Sequence, residues 1–172
     1  MKSIVILSGP VGAGKTTIAR ELIACSPSPI VHIEGDKFWS FFAKEPAAPS
    51  WRKNFGLIMR SMTAASIPFA KEGYEVILDF SIPPWFLDTV RKIAGGRDFS
   101  LDYVIIKPSE ATCIARASSR TEGVIADYTP YKEFYADFNG LERHTLADDA
   151  CSAAEAAARI RSGIDAGLFR LS

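Results

Sequence analysis

An apolar run, Ile4-Val5-Ile6-Leu7, leads directly into "GPVGAGKTT", Gly9 to Thr17. No other feature narrows the possible folds as much. The run has the length and β-branched content of a strand covered on both faces. The stretch after it is a poor helix and a poor core, yet it matches G-x-x-x-x-G-K-[ST] at every fixed position. A phosphate chain can lie against backbone amides only where no side chain intervenes, which calls for Gly9, Gly12 and Gly14. Successive N–H groups then form an anion-binding nest, and a helix starting near Lys15 adds its positive end. Gly9, Pro10, Val11, Gly12, Ala13, Gly14, Lys15, Thr16 and Thr17 are therefore the candidate triphosphate-binding residues. Lys15 is expected on the β- and γ-phosphates, Thr16 on Mg²⁺ and Thr17 toward the α-phosphate. The alternative, a glycine-rich turn with a chance lysine, does not explain a strand before and a helix after.

The rest of the chain alternates in the same way. Helical spacing from Lys15 to Cys25 puts Ile18, Ala19, Leu22 and Ile23 on one side. A short strand is predicted at 30–33, a short aromatic-rich helix at 38–42 and a longer helix at 51–72, with Pro68 inside it and Gly73 ending it. "EVILDF", 75–80, reads as a third strand. Pro83-Pro84 opens a helix that ends near Gly95-Gly96, and 101–106 is a fourth strand. A helix follows over 109–120, with Ala111, Ile114 and Ala115 expected inward. Residues 121–129 read as a loop, 131–141 as a helix and 145–147 as a brief fifth strand. Ser152-Ala-Ala-Glu155 has the capping-box form, and the helix that it starts is expected to reach about Leu168. Such alternation implies an α/β fold, with a mostly parallel sheet and helices on both faces.

The chain has 172 residues, 48% hydrophobic and 23% charged, which suits one domain spanning 1–172 and excludes wholesale disorder. Lys+Arg and Asp+Glu are both 20, so the basic excess of a dedicated nucleic-acid binder is missing. Cys25, Cys113 and Cys151 are odd in number and lack metal-type spacing, which points to reduced thiols. The first residues lack the length of a signal-peptide core, and no stretch approaches about 20 apolar residues. The expectation is a cytoplasmic protein, monomer or homodimer, acting on a small molecule, with neither nucleic acid nor membrane as partner.

The phosphate loop and this order of elements resemble the small P-loop kinases. That group includes gluconate and shikimate kinases, adenylylsulfate kinase, chloramphenicol phosphotransferase, zeta toxins and nucleoside monophosphate kinases. The resemblance implies a three-layer P-loop NTPase fold of about five strands, with a small lid at about 117–130. It also implies roles for specific residues. In kinases of small alcohols and sugars, a strand-end "DGD" or "VD" segment places an Asp near the acceptor hydroxyl. Here the segment is Glu34-Gly35-Asp36, so Asp36 is the candidate base, with Glu34 in support. An Asp capping the following helix is the plainer reading, and both can hold. Asp79, ending "VILDF", matches the carboxylate that supports Mg²⁺, against the plainer reading of a strand-end turn. Arg116 and Arg120, four apart, match an R-x-x-x-R arrangement that clamps the transferring phosphoryl group; an ordinary solvated helix face is the competing account.

These assignments imply an ATP–Mg²⁺ phosphotransferase acting on a small-molecule hydroxyl. A nucleoside monophosphate kinase is the alternative, but the arginine of "DGFPR" has no counterpart after Asp79. An ATP-binding regulatory or toxin-like module is a third reading. No N-K-x-D segment for reading guanine is present. Phe38, Trp39, Phe41, Phe42 and Trp51, with Arg52, Lys53 and Arg60, fall where such kinases hold their acceptor, and core or surface roles suit them equally. His32 and His144 read as structural.

Overall fold

A computed structural model describes residues 3–44, 51–95, 99–121, 123–147 and 149–171. Five strands form one sheet: β1 (Ser3–Ser8), β2 (Ile30–Glu34), β3 (Glu75–Asp79), β4 (Ser100–Ile106) and β5 (Thr145–Leu146). Their order is β2-β3-β1-β4-β5, and every pairing between them is parallel. β1 lies in the middle and is buried from end to end. Its side chains alternate between two cores, as the pleat requires. Val5 and Leu7 pack with Ile77, Val104 and Ile106 under helices α1 (Lys15–Ala24) and α6 (Ala153–Asp165). Ile4 and Ile6 pack with Val76, Leu78 and Ile105 under α2 (Trp51–Lys71) and α3 (Leu87–Ala94). The expected three layers are present.

Several elements differ from their sequence-predicted form. The helix expected at 38–42 is a 3₁₀ helix over Gly35–Phe41, with Glu34 as its N-cap and no side-chain cap bond. Asp36 lies within its first turn and does not cap it. The helix expected to start at 109 is α4 (Glu110–Ser118), capped by Ser109, whose Oγ accepts from the Thr112 amide. Arg120 therefore lies beyond the helix and does not share its face with Arg116. The inward residues of α4 are Cys113 and Ala117, whereas Ala111, Ile114 and Ala115 are exposed. A run so rich in alanine carries little hydrophobic phase, so the sequence pattern placed the face wrongly. The helix expected over 131–141 is α5, only Lys132–Ala136, followed by turns and by Gly140 at φ 83°.

The last helix also stops short of Leu168. Its capping box forms as expected, but α6 ends at Asp165, and Gly167 at φ 69° reverses the chain. The tail then runs antiparallel to β4, with Tyr103 N–H donating to Phe169 and Leu171 N–H donating to Leu101. β5 is too short to pair with the first half of β4, and the tail covers that edge instead. The fully buried Asp102 is met there by Arg170 Nε at 3.1 Å and by the Ser100 hydroxyl at 3.3 Å.

Candidate active site

The loop from Gly9 to Gly14 lies at the carboxyl end of β1, where open parallel sheets bind ligands. Close backbone approach explains two of its glycines. A Cβ on Gly9 would lie 2.0 Å from the Ile106 carbonyl oxygen of β4, and one on Gly12 would lie 2.2 Å from that of Cys113 in α4. Both residues also have positive φ, 139° and 82°. The loop is thus wedged between the β4 terminus and α4, and side chains are excluded by backbone on both sides. Gly14, at φ 93°, turns the chain into α1 as its N-cap. Thr16 is half-buried and Thr17 exposed in the first turn of that helix.

Lys15 curls back over the loop, where its Nζ donates to the carbonyls of Gly9 at 3.2 Å and Pro10 at 3.0 Å. Burial lowers its pKa, while the negative charges of Asp79 and then Asp36 act to raise it. Burial of the Asp36 carboxyl pushes its pKa up, and Lys15 offsets part of that rise. Asp79 and Arg120 also act on Asp36, in opposite directions. Four predicted residues, Lys15, Asp36, Asp79 and Arg120, therefore share one electrostatic neighbourhood, although they come from α1, the 3₁₀ helix, β3 and the loop after α4. Arg116 reaches the same place from α4: its Nη1 donates to the Ala13 carbonyl at 3.2 Å.

Asp79 is 5% exposed, and its Oδ2 is buried with no hydrogen-bond partner. The Nε2 of His32 is in the same condition and stands 3.4 Å away. Register brings them together, because β2 pairs with β3 so that Glu34 lies beside Asp79. A buried carboxylate oxygen without a hydrogen-bond partner suits a hard cation that keeps most of its water. Among the described residues no group of three or more His, Cys, Asp or Glu could hold a metal by itself. The residues present thus fit Mg²⁺ carried in by phosphates and do not form an all-protein cage.

Three features had no signal in the sequence pattern. His32, read as structural, faces Asp79. Tyr128 is buried and its hydroxyl donates to the Val11 carbonyl at 2.8 Å, tying the end of the 117–130 segment to the phosphate loop. The same segment folds back on α4 through the Ile125 amide and the Ala117 carbonyl. Phe80 lies against Gly35, where a Cβ would meet its Cγ at 2.3 Å. The aromatic residues proposed for the acceptor divide: Trp39, Phe41 and Trp51 are exposed, while Phe38 and Phe42 pack against the core under α2. Arg52 lies over the Trp51 ring at 5.3 Å and Arg60 over that of Phe86 at 5.8 Å. His144 is structural as expected; its Nδ1 is 3.0 Å from the Tyr103 carbonyl. All three cysteines are free thiols. Among the described residues no helix is long and apolar enough to cross a membrane.

Residues 4–129 match the model of a family described as an AAA domain. Solved structures share the whole fold at low identity. A sugar kinase from a Janibacter species is 19% identical, with a TM-score of 0.69, over 95% of this chain and 94% of that one. The tunicamycin resistance protein of Deinococcus radiodurans is 17% identical, with a TM-score of 0.70, over 99% and 98%. The APS kinase of Mycobacterium tuberculosis, in complex with AMPPNP and APS, is 14% identical, with a TM-score of 0.69, over 95% and 96%. No curated protein matches the sequence. The fold is that of the small P-loop kinases.

Proposed function

Because the chain belongs to the AAA domain family, we propose that it is a phosphotransferase moving the γ-phosphoryl group of ATP to a hydroxyl of a small molecule. The observation that carries this reading is that Asp36, exposed on the 3₁₀ helix, stands close enough to Lys15 and Asp79 at the phosphate loop for their charges to act on its carboxyl. A nucleotide-binding module needs the loop and the lysine. It does not need a carboxyl of raised basicity beside them.

Each residue then has a task. The N–H groups of residues 9 and 11–14 receive the phosphates, and Lys15 exchanges two carbonyl partners for phosphate oxygens. Thr16 and Asp79 would hold Mg²⁺, which, when bound, neutralises charge on the β- and γ-phosphates. Asp36 orients the acceptor hydroxyl and takes its proton. A bond forms between the acceptor oxygen and the γ-phosphorus, the bond to the bridging oxygen breaks, and ADP leaves. Arg120 and Arg116 stabilise the charge that spreads over the transferring group. The 117–130 segment is the proposed lid, and its closure would exclude water and suppress hydrolysis.

The test is ADP release with ATP and Mg²⁺ across sugars and sugar acids, hydroxylated antibiotics, simple alcohols and nucleoside monophosphates. Acceptor-dependent release that is lost in both Lys15→Ala and Asp36→Asn is expected. Release confined to nucleoside monophosphates would replace this reading with a nucleotide kinase. Tight ATP binding with no acceptor-dependent release would favour a binding module.

A further inference from the structure

The edge strand β2 pairs with β3 in parallel, so that His32 lies beside Ile77 and Glu34 beside Asp79. Residues two apart on a strand share a face, so these four side chains form one patch at the carboxyl end of the sheet. Its diagonal brings His32 Nε2 to 3.4 Å from Asp79 Oδ2. Both atoms are buried, and neither has a hydrogen-bond partner among the described residues. Glu34 stands on the other side of the ring. Its Oε1 lies 3.8 Å from His32 Nδ1 and takes the Lys37 ammonium at 2.6 Å. The imidazole is thus set between two carboxylates. Lys37 engages the outer one, and His32 Nε2 faces the inner one.

A buried nitrogen and a buried oxygen left unbonded at this separation call for an explanation, because such groups are normally paired. The gap is only slightly beyond the usual N–H···O range, so a small side-chain rotation closes it. A carboxylate oxygen only accepts, so the bond needs the hydrogen on Nε2. Nδ1 is beyond hydrogen-bond reach of Glu34 and does not compete for that hydrogen. Once bonded, Oδ2 keeps a second lone pair and Oδ1 keeps both, free for the water around a cation. Outer partners of this kind hold metal-supporting carboxylates in place, and their loss weakens the metal by roughly 10–100-fold. We propose that His32 is a positioning residue for Asp79: its Nε2–H fixes the carboxylate in the orientation that receives the hydrated divalent cation accompanying the nucleotide phosphates. This rests on the role given to Asp79 in the phosphotransferase reading above, and it holds for any acceptor.

The experiment measures AMPPNP binding to the full chain by calorimetry, once with Mn²⁺ and once with EDTA, so that the cation's share is read without turnover. Wild type is compared with His32→Leu, His32→Asn, His32→Gln, Asp79→Asn and the His32→Leu/Asp79→Asn double variant. The Gln amide nitrogen stands as many bonds from Cβ as Nε2 does, whereas the Asn amide falls one bond short. His32→Leu and His32→Asn are expected to weaken binding about tenfold in Mn²⁺ and to leave it unchanged in EDTA. His32→Gln should stay close to wild type, and the double variant should be no weaker than Asp79→Asn alone. His32→Asn, which keeps a polar side chain, carries the comparison if His32→Leu does not fold. Weakening in Asp79→Asn with none in His32→Leu or His32→Asn overturns the role of His32 and leaves Asp79 on the cation. An equal loss in Mn²⁺ and EDTA marks a ring that only fills space, and overturns it as well. An Asp79→Asn variant with unchanged Mn²⁺ dependence removes the cation from Asp79 and the inference with it. Intact cation effects without ADP release on any acceptor would remove the phosphotransferase reading and leave the His32–Asp79 pair standing.

Discussion

Asp36 is poised by two opposed effects. Burial of its carboxyl raises the pKa, and Lys15 pulls it back. The folded-state pKa lies above the ordinary value of 3.8, so the carboxylate costs some stability at neutral pH, a cost that solvent screens because Asp36 is exposed and that is absent where both states are protonated. Asp36→Asn is therefore expected to raise the melting temperature at pH 8 and to lose that gain toward pH 4, while activity falls by about a hundredfold or more. In wild type the acidic limb of kcat/KM should lie above the usual carboxylate range, and the residual activity of Asp36→Asn should lack that limb. A melting temperature unchanged at pH 8 would show that the carboxyl is not desolvated. Arg120 is exposed, whereas Arg116 is bonded to the Ala13 carbonyl. Arg120→Lys should lower kcat more than it alters nucleotide affinity, because a point charge cannot replace the bidentate fork.

The strand–loop–helix unit around Gly12 tolerates nothing larger than hydrogen at that position. A Cβ there would stand 2.2 Å from the Cys113 carbonyl oxygen at a φ of 82°. Gly12→Ala should push α4 away from the loop, carrying Arg116 with it, and abolish measurable ATP binding while the far-ultraviolet circular dichroism persists. Tyr128 couples the 117–130 segment to the same loop by its bond to Val11. Removing that bond costs about 1 kcal/mol, so Tyr128→Phe should weaken ATP binding about fivefold, with little change in acceptor KM. An equal loss in both constants would count against a role confined to the nucleotide. At the other end of the chain, α6 owes its start to the Ser152–Glu155 capping box, and Ser152→Ala should cost about 1 kcal/mol in denaturant unfolding.

The assembled sheet depends on an edge that no local pattern announces. The tail after Gly167 covers β4 and brings Arg170 to Asp102, a carboxylate with no exposed surface. Arg170→Met leaves that charge buried beside the Ser100 hydroxyl without its cation and should destabilise the protein by about 3 kcal/mol. Asp102→Asn in the same background should recover much of the loss; failure to do so would mean that packing of the tail matters more than the charge. Much of this architecture was legible in the linear chain. The apolar runs marked five strands, and the alternation with helices implied a parallel sheet, because short-range periodicity reports burial directly. The phosphate loop was legible as well, since its chemistry is written in consecutive residues. Asp36 and Asp79 could be picked out at strand ends, where a polar residue interrupts an apolar run. Other features depend on residues far apart in sequence. The phase of α4 is set by the loop that it touches, the end of α6 by the edge that its tail must cover, and the placing of His32 beside Asp79 by strand register. The ring contacts of Phe55 with Phe80 and Phe134 exist only once β3, α2 and α5 have met. Local pattern records which residues are buried; only tertiary packing decides what they are buried against, and a binding surface is made of the latter.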